Sequence, residues 1–316
     1  MKKLVRRRLL DVEQINRRAA ADPQAFIAEE NGRYQREIEE TAAWLADGVN
    51  GCRLVMLSGP SAAGKTTSSM FLRDRLKEHG IDTQVVSLDN FYRGRYQAPQ
   101  LEDGSYDYEA LEALNLERLH SCMREILLQG RTELPVFDFQ TGRPAAETQE
   151  LTIGRHSIVI FEGIHALNPI FEQHMPQDSL YKVFVNTVTP IYEGESKILA
   201  RRQLRLVRRI LRDMRFRGSP IENTLHMWQQ VVRGESAYMF PYVDTVDALI
   251  DTTHAYEPCI FAGEILPVLE RMDPSHPQAA AAQKLFTAMK AFAPMAIEDM
   301  PQDTLLREFV GGGRYS

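Results

Sequence analysis

The chain has 316 residues, 44% hydrophobic and 25% charged, the proportions of a soluble globular protein rather than a disordered, collagen-like or coiled-coil chain. At about 150 residues per domain, that length fits two domains or one large domain with additions. With 37 basic and 43 acidic side chains the formal net charge is −6, so any basic surface must be local.

Three cysteines, Cys52, Cys122 and Cys259, are too few and too scattered for a disulfide framework or a zinc site, which suits a reducing, cytoplasmic setting. The start, MKKLVRRRLLDVEQ, is basic but lacks the apolar stretch of a signal peptide. No run approaches the about 18 apolar residues of a membrane span, so no membrane partner is expected.

Residues 12–48 are polar with helical spacing at Phe26, Tyr34, Ile38, Ala42 and Leu45, which predicts one or two helices in an N-terminal extension, 1–50, outside the main core. A strand is predicted at 53–57, a helix from Lys65 to His79, a strand at Thr83–Leu88 and an irregular stretch over 89–105. Residues 109–129 read as a helix stopped by Gly130. Short strands follow at Leu134–Phe139 and Leu151–Ile153, then buried parallel strands at Ser157–Phe161 and Leu180–Val185. A long basic helix is expected over about 195–216, another at 220–233, a last strand at Ala248–Ile250, and helices near 257–271, 275–292 and 302–309. Strands alternating with helices predict an α/β fold, a doubly wound parallel sheet, with a core over 51–255 and a C-terminal helical cap over 256–316.

Gly59-Pro60-Ser61-Ala62-Ala63-Gly64-Lys65-Thr66 matches G-x-x-x-x-G-K-[ST] in full, between a predicted strand and a predicted helix. A chance match arises in about one chain in a hundred of this length. The glycines let the backbone curl so that its N–H groups face phosphate oxygens. Lys65 would then reach the β- and γ-phosphates and the Thr66 hydroxyl a Mg²⁺ ion. Ligands of such folds sit outside the carboxyl ends of the strands. Two acids fall there: Asp89 after Val85-Val-Ser-Leu88, and Glu162 after Ile158-Val-Ile-Phe161. One could take the proton of an attacking hydroxyl and the other hold Mg²⁺; exposed loop carboxylates are the plain alternative. No N-K-x-D segment is present to read guanine.

Nine basic residues and one acid, Asp213, lie between Lys197 and Arg217. Arg201, Arg205, Arg208 and Arg212 share one helical face, and Leu199, Leu206, Ile210 and Met214 another. The basic face suits a lid, about 195–218, closing on a transferring phosphoryl group. A solvated face, or a surface for nucleic acid or membrane, stays open as an alternative.

Together these segments resemble the uridine–cytidine kinase and phosphoribulokinase family. The likeness rests on GPSAAGKTT at 59–67, SLDNFYRGR at 87–95, YDYEAL at 106–111, LPVFDFQTGR at 134–143, IVIFEGIHAL at 158–167 and RLVRRILRDMRFRG at 205–218. FEGIHALNP at 161–169 and LLREFVGG at 305–312 look like a divergent bacterial branch of it. The resemblance implies a P-loop core with an arginine lid and a small β-hairpin, and transfer of the ATP γ-phosphate to a ribose 5′-hydroxyl with Mg²⁺. It casts Asp89 as catalytic base, Tyr92 as its neighbour and Asp107 as a ribose-hydroxyl acceptor. Thr66 and Glu162 fall on the magnesium side. Residues 59–67 become the nucleotide loop, through Thr67, and Arg209, Arg212 and Arg217 the lid arginines on phosphates and substrate.

The base-reading positions depart from the family pattern. Phe137, Asp138 and Phe139 stand for tyrosine-aspartate-phenylalanine, Gly142 for a histidine, Met227 for a glutamine and Ser219 for an arginine. Phe137 and Phe139 remain candidates for stacking a flat base, but pyrimidine preference does not carry over. A different small hydroxyl acceptor, a sugar phosphate or polyol, is the runner-up. A small-molecule substrate is expected in preference to nucleic acid, and the resemblance leaves a homo-oligomer open.

Overall fold

The computed structural model describes residues 8–48, 52–102, 104–173, 175–176 and 179–315. The basic start over 1–7 and the expected boundary at 50–51 lie outside the described residues. In chain order the regular elements open with β1 (Leu10–Asp11), α1 (Val12–Ala21), α2 (Pro23–Asp47), β2 (Leu54–Ser58), α3 (Lys65–Glu78) and β3 (Thr83–Ser87). Next come α4 (Leu116–Gln129), β4 (Arg131–Asp138), β5 (Arg143–Thr152), β6 (Ile158–Glu162), β7 (Leu180–Asn186), β8 (Ile191–Glu193) and β9 (Ser196–Leu199). The chain ends with α5 (Arg201–Phe216), α6 (Ile221–Tyr238), β10 (Ala248–Asp251), α7 (Glu257–Glu270), α8 (Ala279–Met289) and α9 (Arg307–Val310).

The central sheet has five parallel strands in the order β10-β7-β2-β6-β3. Parallel strands need crossovers, and helices on both faces bury the sheet twice over, which explains the near-continuous apolar runs. Successive side chains alternate between the faces: Val55, Leu57, Ile158, Ile160, Val183 and Val185 join one apolar cluster, and Leu54, Met56, Val159 and Phe161 another. Strand order reverses about β2, so the loop after β2 opens at the switch point where such sheets bind ligands.

The N-terminal helices are not outside this core. Phe26, Ile27, Tyr34, Ile38 and Leu45 of α2 belong to the same cluster as Phe71 and Leu72 of α3, and the Tyr34 hydroxyl lies 2.8 Å from Ser68 Oγ. Glu37 accepts from the Asp251 N–H at 2.8 Å, while Arg33 donates to Asp251 O at 3.0 Å. The extension therefore seals the β10 edge of the sheet. Its polar composition hid this because one apolar stripe per helix suffices for burial.

Three other boundaries moved. The short strands expected near 134 and 151 are the two arms of one antiparallel hairpin, β4–β5. The turn closes with the Gly142 N–H on Asp138 O at 2.8 Å and Gly142 at φ +68°, where glycine is favoured. Helix α4 begins only at Leu116, because Asn115 caps it by accepting from the Arg118 N–H at 3.1 Å. The basic helix starts at Arg201, since residues 196–199 pair with β8, which in turn pairs with β1.

Candidate active site

The loop between β2 and α3 is built by tight backbone contacts. A Cβ on Gly59 would stand 2.3 Å from Val185 O, so only glycine lets this loop lie against β7. Ala62 at φ +57° is the one described non-glycine residue in the left-handed region, a costly conformation typical of functional loops. Gly64 at φ +89° starts α3 without a side-chain cap. The first helical bond is Ser68 N–H to Gly64 O at 2.9 Å, so the amides of Lys65 to Thr67 have no acceptor within the helix. Lys65 Nζ folds back on Gly59 O at 2.9 Å and Pro60 O at 3.3 Å.

Acids gather around Lys65. Glu162 ends β6, buried at 9% exposure. Burial pushes its pKa up to about 7; Lys65 and the Ser87 hydroxyl oppose the rise, and the Asp89 charge adds to it. Asp89 sits on the 3₁₀ turn Leu88–Phe91 after β3. One side is open to solvent, yet the protein packed around it raises its pKa, with Lys65 and Arg217 drawing it back down. Glu109, which sequence reasoning passed over, completes the group. Burial raises it to about 7, the Glu235 charge adds to this, and Lys65 and Arg209 counter it. Shifts of this size mark carboxylates placed where their charge is poorly solvated, a common property of functional clefts.

On the β3 side, Tyr92 donates its hydroxyl to Tyr108 O at 3.2 Å, and its ring centroid lies 5.7 Å from that of Phe137. Phe139 packs edge-on against Phe137 at 5.1 Å but is 62% exposed. Asp107 accepts from the Tyr238 hydroxyl at 3.0 Å, a partner 131 residues away that no local pattern signals. Met227 is exposed on α6.

The arginine helix needs correction. Arg205 and Arg208, read as facing a polyanion, are buried at 3% and 0% exposure. Arg205 pairs with both Glu235 oxygens at 2.7 and 2.8 Å and donates to Ser61 O at 2.8 Å. Glu235 also accepts from the Ser61 N–H at 2.8 Å. Arg208 grips Glu257 at 2.7 and 3.0 Å, and donates to Thr252 O at 2.7 Å and Ala62 O at 3.3 Å. A buried guanidinium requires a carboxylate partner, and α6 and α7 supply them. These two arginines hold the loop from behind. Arg209, Arg212 and Arg217 are placed differently: Arg209 donates to Ser61 Oγ at 2.8 Å, Arg212 lies 3.6 Å from Glu308, and Arg217 pairs with Asp213 at 3.2 Å.

Oxygen donors of the Thr66 and Glu162 type suit magnesium, and a buried carboxyl lifted toward neutrality, as Glu162 is, would gain most from a neighbouring cation. So small a protein set suits an ion that keeps several waters. Among the described residues no helix is long and apolar enough to cross a membrane.

A strand–glycine loop–helix with its lysine among strand-end carboxylates, on a parallel sheet of order β3-β6-β2-β7-β10, is the architecture of a P-loop kinase. Residues 54–256, more than half of the chain, match the sequence model of the Phosphoribulokinase / Uridine kinase family, and the chain belongs to that family. It is 24% identical over 198 residues to uridine-cytidine kinase B of Dictyostelium discoideum, a match covering 62% of this chain and 73% of the relative. It is also 24% identical over 200 residues to a Saccharomyces cerevisiae uridine kinase, covering 62% of this chain but 36% of that protein. The solved phosphoribulokinase of Rhodobacter spheroides aligns at 16% identity over 66% of this chain and 74% of its own, with a TM-score of 0.41.

Proposed function

We propose that the protein transfers the γ-phosphate of ATP to a hydroxyl of a small molecule, the 5′-hydroxyl of a nucleoside of uridine or cytidine type. The observation carrying this reading is the raised carboxyl of Asp89, set after β3 within the field of Lys65 and Arg217. A base with a lifted pKa takes a hydroxyl proton more readily than an ordinary carboxylate. Asp89 accepts the acceptor's proton as its oxygen bonds to the γ-phosphorus, and the bond to the bridging oxygen breaks to release ADP. Lys65 leaves its own loop carbonyls for the β- and γ-oxygens, and the amides of the first turn of α3 bind the phosphate chain. Arg209, Arg212 and Arg217 meet the charge that develops in transfer. Thr66 and Glu162 hold Mg²⁺, which neutralises phosphate charge when bound. Asp107, fixed by Tyr238, accepts from acceptor hydroxyls, and Tyr92, Phe137 and Phe139 form the aromatic side of the pocket.

One observation favours a second acceptor class, a sugar phosphate or polyol. A Cβ on Gly142 would stand 3.0 Å from Arg95 Nε, so a cation fills the place where the family resemblance puts a base-contacting histidine. An ADP-release assay with Mg·ATP against uridine, cytidine, adenosine, guanosine, inosine, ribulose 5-phosphate and polyols separates the two. Saturable turnover on a nucleoside, cut about 100-fold or more by Asp89→Asn with ATP binding retained, is expected. Full turnover in that variant removes Asp89 as the base, and turnover on a non-nucleoside alone establishes the second class.

A further inference from the structure

The C-terminal helix α9 lies against the glycine loop itself. Glu308 Oε2 accepts from the Thr67 hydroxyl at 2.7 Å and from the Thr67 N–H at 3.3 Å, and Glu308 Oε1 stands 3.6 Å from Arg212. Thr67 belongs to the uncapped first turn of α3, whose amides serve phosphate oxygens in such loops. Leu305 presses on Gly64 so closely that an added Cβ would meet its Cδ1 at 2.8 Å, and Phe309 lies under the Arg208 guanidinium, 5.0 Å from ring centroid to Cζ. Leu305, Leu306 and Phe309 are fully buried, so this is a packed seat and not a chance surface contact.

We propose that Glu308 is an affinity-setting residue of the nucleotide site: its carboxylate holds the place of a phosphate oxygen on Thr67 and must give way when nucleotide binds. This deepens the phosphotransferase reading and rests on it. Two anions cannot share the one N–H and the one hydroxyl of Thr67. The nucleotide therefore replaces Glu308 on Thr67, and the freed carboxylate turns to solvent, which loosens the seating of α9 while its apolar side chains stay packed. Affinity in the native chain is lowered by whatever those charge-assisted contacts contribute.

The test is titration of wild type and Glu308→Gln with Mg·ADP by calorimetry. The glutamine keeps an acceptor and its packing but loses the charge, so the Kd should tighten by about tenfold. An unchanged or weaker Kd overturns the proposal while leaving the kinase reading intact. If neither protein binds ADP, both fall together. Hydrogen exchange of wild-type residues 304–310 reads the same event without any substitution. Faster exchange on adding ADP is expected, and unchanged or slower exchange overturns displacement.

Discussion

The pKa of Glu162, about 7 against an ordinary 4.5, makes a prediction about stability whose sign is fixed. Between these values the native state keeps a proton that the unfolded chain has released, so stability falls as pH rises through the window from about 4.5 to about 7. The difference between the two values corresponds to about 3 kcal/mol once pH exceeds both. Glu162→Gln leaves a neutral side chain of the same shape on β6 and removes this penalty. In urea unfolding without nucleotide or divalent cation, the variant should be the more stable protein at pH 8. The gap between the two stability curves should widen by about 2 to 3 kcal/mol from pH 5 to pH 8. A residual downward slope is expected in the variant, because burial lifts Glu109 to the same value. Curves that run parallel across that range refute the argument, since they would mean that Glu162 ionises in the native cleft as freely as in the unfolded chain.

Arg208→Met removes the positive partner of a fully buried Glu257 and should destabilise the chain by about 3 to 5 kcal/mol, with Glu257→Gln in the same chain recovering part of the loss; a loss below about 1 kcal/mol in urea unfolding would show that the pair is not desolvated. All three cysteines are buried and unpaired, and burial pushes the Cys52 and Cys259 thiols up to about 12 and raises Cys122. A thiol reagent at pH 8 should therefore modify none of them on the timescale of an unfolded control, and rapid labelling of any one in the native protein counts against this packing.

The glycine loop and the strand-end acids were legible because their signals are local. A turn of fixed spacing needs its own glycines, and an acid at the end of an apolar run lands at the sheet's carboxyl edge whatever the rest of the chain does. The same logic placed all five strands of the central sheet. It failed where the deciding partner is remote. Nothing near Ser196–Leu199 announces β8 as a pairing strand, so continuing the basic helix back to 195 was the simpler local choice. Tyr238 on Asp107, Glu235 on the Ser61 N–H and Glu308 on Thr67 are separated from their partners by 131, 174 and 241 residues. Glu109 could have been found, since it stands two residues after Asp107 in the YDYEAL block, but an acid in a loop has too many ordinary explanations to be singled out.

Counting charges along α5 gave a basic face in search of an anion, and the count was right while the inference was wrong for half of it. The balancing acids sit on other elements, so a helix can be strongly basic in sequence and nearly neutral in place. Arg205 and Arg208 are tied to Glu235 and Glu257 and also to backbone oxygens of the glycine loop, and breaking one such buried pair costs about 3 to 5 kcal/mol. The N-terminal half of α5 is thereby fixed as a wall of the site rather than a flap over it. The arginines with freedom to change partner lie at the other end. Arg209 shares Asp213 with Arg217, Arg212 has, among the described residues, a 3.6 Å contact to Glu308 and a buried Nε without a hydrogen bond, and Arg217 is 53% exposed at its side chain. These are the three that the family resemblance gives to the phosphates, and of them Arg212 and Arg217 hold the looser partners, while Arg209 remains tied to a buried Asp213.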